Sequence, residues 1–223
     1  MTFGPLPDEL IRPAPASRGP IGSPDADVLA LAGLMLDYPD DDLLARRPAL
    51  LAASRALPAG GPAHALQRFV TWFAAADPDQ VRLDYVATFD HRRRNALYVT
   101  FAAHGDMRRR GQALWAFQRL YADHGFDATP AELPDYLPTV LQFAALAPAD
   151  ARDQALAMAR PGIELVARSL TASHSPWAPL LTAVQACLPA LQPTLAHDID
   201  AIIAAGPPTE LVGAGFAESG ATR

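Results

Sequence analysis

Arginine, histidine, serine and cysteine are the side chains from which this chain could assemble chemistry, and their spacing limits what they can do. Two triplets, Arg92-Arg93-Arg94 and Arg108-Arg109-Arg110, are its densest cationic points. Three arginines in a row on a helix fan across most of a turn, so each triplet can send only one or two guanidiniums the same way. The plain reading is a solvated face partly paired with Asp90 and Asp106. The functional reading is an anion contact through Arg94, Arg108 and Arg110, for instance to the phosphates of a transiently held cofactor, because guanidinium forks match phosphate geometry. The histidines His64, His91, His104, His124, His174 and His197 are scattered singly, with none at metal-ligand spacing. Ser173-His174-Ser175 places a hydroxyl beside an imidazole, but neighbours in sequence rarely face one another and no Gly-x-Ser-x-Gly elbow is present, so a loop is expected. Cys187 falls within a helical apolar pattern and reads as a small core residue. Carboxylates occur as caps and isolated groups, and no acid–base pair can be nominated. The chain is not expected to be an enzyme.

The residue that is missing matters as much. None of the 18 basic residues other than histidine is a lysine. That excludes a P-loop, a Schiff-base pyridoxal enzyme and a protein kinase, each of which needs a lysine. A net charge of -6 opposes general attraction to nucleic acid or anionic lipid and favours a basic partner. With a single cysteine, no internal disulfide can form, so a reducing, cytoplasmic setting is expected. Residues 1–22 carry five prolines and no basic start followed by an apolar core, so no secretory signal is expected. Charge or proline interrupts every apolar stretch before the roughly 20 residues that span a bilayer.

What must position these groups is helix. Half of the 223 residues are apolar, alanine and leucine dominate and β-branched runs are scarce, so the fold class is all-α. The tails 1–22 and 206–223 have few large apolar groups and read as flexible, leaving one compact multi-helix domain over 23–205. Tyr38-Pro39-Asp40 stops a first helix and caps a second. Further helices are expected over 62–76, from Pro78 to Phe89, over 94–103 with Leu97, Tyr98 and Phe101, and from an Asp106 cap to a Gly125 stop. Pro134 is expected in the first turn of a helix reaching Leu146, with Asp135 on its dipole. Beyond it, 149–170 keeps its apolar period across Pro161-Gly162 as a kinked helix or two in line, a helix starts at Ser175-Pro176, and a last one carries Leu195, Ile199, Ile202 and Ile203. No internal repeat is apparent.

Glu132-Leu133-Pro134-Asp135-Tyr136-Leu137-Pro138 stands apart, with two prolines around an acid and an aromatic before a strongly apolar helix. Such a corner suits a groove that receives an amphipathic, basic peptide. With Tyr85-Val86-Ala87-Thr88-Phe89-Asp90, Arg93-Arg94 with Leu97-Tyr98-Val99-Thr100, and His104-Gly105-Asp106-Met107-Arg108-Arg109-Arg110-Gly111, this block resembles the NarJ branch of the TorD-like redox-enzyme maturation chaperones, as does the Leu36-Asp37-Tyr38-Pro39 stop. The resemblance spans roughly residues 25–200. One departure is Tyr136, where the family pattern usually has histidine, so a role resting on a titrating imidazole does not carry over.

The resemblance implies a TorD/NarJ-like all-helical domain that is a private chaperone for the molybdenum-containing alpha subunit of a respiratory nitrate reductase. Such a chaperone binds that subunit's N-terminal peptide until the molybdenum cofactor is inserted and is absent from the finished enzyme. No cofactor would be bound stably, contact with the molybdenum cofactor would be transient, and the protein is expected to be a monomer without a membrane span. The residues expected to hold the peptide are Tyr85, Phe89, Tyr98, Asp135, Tyr136 and Leu137. The alternative is a regulatory or nucleic-acid-binding module using the arginine triplets.

Overall fold

The computed structural model describes residues 11–13, 24–103, 107–128 and 132–189. The expected last helix and the Asp106 cap lie outside them. The described residues are helical almost throughout: α1 (Pro24–Met35), α2 (Asp41–Ala45), α3 (Arg47–Ala56), α4 (Gly61–Ala75), α5 (Pro78–Tyr85), α6 (Val99–Ala103), α7 (Met107–Asp123), α8 (Leu137–Leu146), α9 (Ala149–Ala172) and α10 (Ala178–Ala186). A π-turn, Val86–Asp90, continues α5, and a 3-10 turn, Arg93–Asn95, precedes α6. Within the segment read as a tail, β1 (Ile11–Pro13) pairs antiparallel with β2 (Phe126–Ala128), Ile11 opposite Ala128.

Local chemistry sets most helix ends. The Asp40 carboxylate accepts the Leu43 amide at 2.8 Å, and Asp77 accepts those of Asp79 and Gln80, with Pro78 in the first turn. Gly125 follows α7 at φ 74°, the left-handed stop expected of it. At the end of α9, His174 takes φ 52° while the His174 and Ser175 amides reach back to Thr171 and Leu170. That is a Schellman stop, so the Ser-His-Ser triplet is a helix terminus.

Helices α1, α4, α8, α9 and α10 enclose one apolar core, with Leu29, Leu66, Phe69, Val140, Leu141, Leu156, Ile163 and Leu181 fully buried. Trp177 is its aromatic hub, with ring centroids 5.1 Å from Trp72, 5.9 Å from Phe69 and 5.7 Å from Phe89. The Pro161-Gly162 pair lies inside a single helix of 24 residues. Pro161 forfeits one backbone bond there. Gly162 explains the pair's neighbourhood: a Cβ on it would stand 2.5 Å from the Val99 carbonyl oxygen, so only glycine lets α6 cross α9 this closely.

Two expectations fail in the same place. Residues 94–103 are not one helix. Asn95 is buried and donates to the Thr88 carbonyl at 2.7 Å, after which the chain runs extended and Tyr98 bridges Tyr136. Nor does Pro134 start α8; Pro138 occupies its first turn and Tyr136 is the N-cap residue. The backbone groups freed by both breaks satisfy one another: the Val99 amide donates to the Asp135 carbonyl at 3.0 Å and the Leu137 amide to the Leu97 carbonyl at 2.7 Å.

Candidate functional site

This junction makes one wall of a cleft of about 510 Å³, lined by Tyr85, Phe89, Asp90, Leu97, Tyr98, Phe101, Arg110, Glu132 and Tyr136, with Ala96 between. Helix α5 and its π-turn supply Tyr85 and Phe89, which stack at 4.8 Å and back onto Trp177. The non-helical stretches 96–98 and 132–136 supply Tyr98 and Tyr136, whose rings lie 5.4 Å apart. Helix α7 brings Arg110.

Each tyrosine is tethered at its hydroxyl. Tyr85 donates to the Leu36 carbonyl at 3.0 Å, Tyr98 to Glu132 at 2.8 Å and Tyr136 to Asp37 at 3.2 Å. Tethers at the polar end present the ring faces as a fixed apolar surface. Burial, aided by the Glu132 contact, pushes the Tyr98 hydroxyl up to about 12, and burial drives Tyr85 and Tyr136 higher still. The tyrosines therefore stay neutral donors across the physiological range. Burial also raises Asp37, against the hydrogen bonds it accepts from Tyr38 and Tyr136.

Of the residues expected to hold a peptide, Tyr85, Phe89, Tyr98 and Tyr136 line the cleft together. Asp135 and Leu137 do not; both are fully buried behind it. Asp135 was expected on the dipole of α8 but instead serves α6. Its Oδ2 accepts the Thr100 amide at 3.1 Å and the Thr100 hydroxyl at 2.6 Å. With the Val99 amide on its main-chain carbonyl, Asp135 satisfies the first two donors of α6 from across the junction. Leu137 belongs to the core. Among the arginines, Arg110 lines the cleft, Arg94 is exposed on the 3-10 turn outside it, and the Arg108 side chain lies outside the described residues. The sequence reading missed Asp90, Glu132 and Phe101 as lining groups, and Asp37 as the tether of Tyr136 from 99 residues away. Asp37 and Glu132 both sit in the motif blocks, the one signal that pointed to them. No group of three or more metal-ligating side chains is found among the described residues.

Against known proteins, the model of the family described as nitrate reductase delta subunit matches residues 54–183. The chain belongs to that family. Members similar to it include the probable nitrate reductase molybdenum cofactor assembly chaperone NarJ of Bacillus subtilis, 32% identical over 69% of this chain and 84% of that protein. The Escherichia coli K12 nitrate reductase molybdenum cofactor assembly chaperone NarJ is 32% identical over 68% of this chain and 65% of its own length. The nitrate reductase-like protein NarX of Mycobacterium tuberculosis H37Rv is 35% identical over 69% of this chain, which spans only 23% of that longer protein. The family match begins within α3 and ends within α10, so it contains every lining residue of the cleft. No helix among the described residues is long and apolar enough to cross a membrane.

Proposed function

We propose that this family member is a cytoplasmic assembly chaperone for a nitrate reductase, and that its cleft holds the N-terminal segment of the catalytic alpha subunit until the molybdenum cofactor is inserted. The observation that carries the reading is the row of rings lining one cleft, Tyr85, Phe89, Tyr98 and Tyr136, with the three tyrosines tethered at their hydroxyls and Tyr98 and Tyr136 half-buried beside Asp90 and Glu132. Rings fixed before binding lose little entropy when a partner docks, and two carboxylates at the rim suit the basic face of an amphipathic helix. The relatives' names support nitrate reductase as the enzyme served. The chaperone acts by holding, with no covalent step of its own. Any contact with the molybdenum cofactor is transient.

Calorimetric titration of the whole chain with a synthetic N-terminal peptide of the alpha subunit tests this. Micromolar or tighter affinity is expected, about -8 kcal/mol, and it should weaken at least about tenfold in Tyr98→Ala and Phe89→Ala. Absence of heat at high peptide concentration, or salt-sensitive binding of generic RNA in its place, would sink the reading.

A further inference from the structure

Among the described residues, Arg110 is the one cation lining the cleft. Its guanidinium carbon lies 5.5 Å from the centre of the Phe101 ring, its Nε is buried without an acceptor, and it joins none of the ion pairs among the described residues. Asp90 and Glu132 line the same cleft but neither forms an ion pair with it; Glu132 Oε1 accepts from the Tyr98 hydroxyl and the Leu133 amide. A partly desolvated guanidinium whose Nε finds no acceptor is held at a cost that an incoming anion would reduce.

We infer that Arg110 is the receptor for a carboxylate carried by the bound segment. This rests on the peptide-holding reading and sharpens it: the client must offer an acidic side chain to Arg110 as well as cations to Asp90 and Glu132. A single carboxylate fits better than a phosphate. Among the described residues only one guanidinium lines the cleft, and a phosphate's greater charge would face Asp90 and Glu132 there. The flat Phe101 face beneath the guanidinium holds its plane, favouring a two-point contact with a planar carboxylate.

The test pairs variants of the whole protein with variants of the synthetic alpha-subunit peptide, each acidic residue of the peptide being changed in turn to its amide. Arg110→Gln should weaken the unaltered peptide about tenfold, with Arg110→Lys recovering part of the loss. At one acidic position the amide peptide should bind wild type about tenfold more weakly, yet bind Arg110→Gln no worse than the unaltered peptide does. Arg110→Glu should then be rescued by lysine at that peptide position. Additive effects at every acidic position, or unchanged affinity in a folded Arg110→Gln protein, would overturn the inference while leaving the peptide-holding reading intact. The same holds if Arg110→Gln spares peptide affinity but abolishes retention of inorganic pyrophosphate, which would make the anion a phosphate. If wild type binds no peptide, both readings fall together.

Discussion

The helical core and the cleft wall are built on opposite principles. The core of α1, α4, α8, α9 and α10 is held by apolar side chains, whose attraction is non-directional and scales with the area removed from water. The wall, from the π-turn to Thr100 and from Glu132 to Tyr136, breaks its helices and holds itself by directed bonds. Of the buried polar residues among those described, Asn95, Thr100 and Asp135 belong to the wall and Thr139 to the first turns of α8, leaving only Ser54 elsewhere. The contrast separates tasks. The core supplies stability, and the wall spends some of it on placing rings and hydroxyls where a partner can meet them.

Four measurements can break or sharpen that division. Trp177→Ala, which empties the aromatic hub, should cost about 4 kcal/mol in urea unfolding, the largest effect expected. Gly162→Ala should follow at about 3 kcal/mol, because the new methyl meets the Val99 backbone and no flexible side chain can yield. Asp135→Ala should cost about 2 kcal/mol by stripping the Thr100 amide and hydroxyl of their acceptor. Its peptide affinity should fall as well, and Asp135→Asn should restore most of both. A loss in Asp135→Ala as large as that of Trp177→Ala would erase the distinction between core and wall. The smallest change expected from a single substitution is seen with base, at Tyr98. Tyr98 is raised to about 12, above its unfolded value near 10, so its share of stability is complete below about pH 10 and is lost as pH rises toward 12. Tyr85, Tyr121 and Tyr136 are shifted in the same sense by burial. Urea midpoints across that window should fall, and Tyr98→Phe should flatten the decline slightly.

The same division explains what could be read from sequence. Elements fixed by neighbours in the chain were legible: the Asp40 cap, the Pro78 start and the Gly125 stop each depend on residues within one turn. The apolar period even carried through Pro161, where the structure keeps a single helix. The wall was not legible as geometry because its bonds are long-range. Nothing near Asn95 announces that its side chain will bond the Thr88 carbonyl, and nothing near Asp135 says that it will serve a helix 35 residues earlier. The spacing of Leu97, Tyr98 and Phe101 reads as helix across 94–103, and tertiary hydrogen bonding overrides it. The aromatic residues of the site were nominated because the motif blocks contain them, while Asp135 and Leu137 were nominated for the same reason and turned out to stand behind the surface.

The clasp between Leu97–Val99 and Asp135–Leu137 has an architectural corollary. It stitches side by side the two ends of the excursion that contains α7, which packs Phe117, Leu120 and Tyr121 into the core. Arg110 arrives with that excursion, whereas the tyrosine frame belongs to the fixed part. The excursion thus carries the guanidinium, and the wall carries the rings with Asp90 and Glu132. Within this architecture a relative can be retuned to a differently charged client at position 110 while Phe117, Leu120 and Tyr121 keep α7 in place.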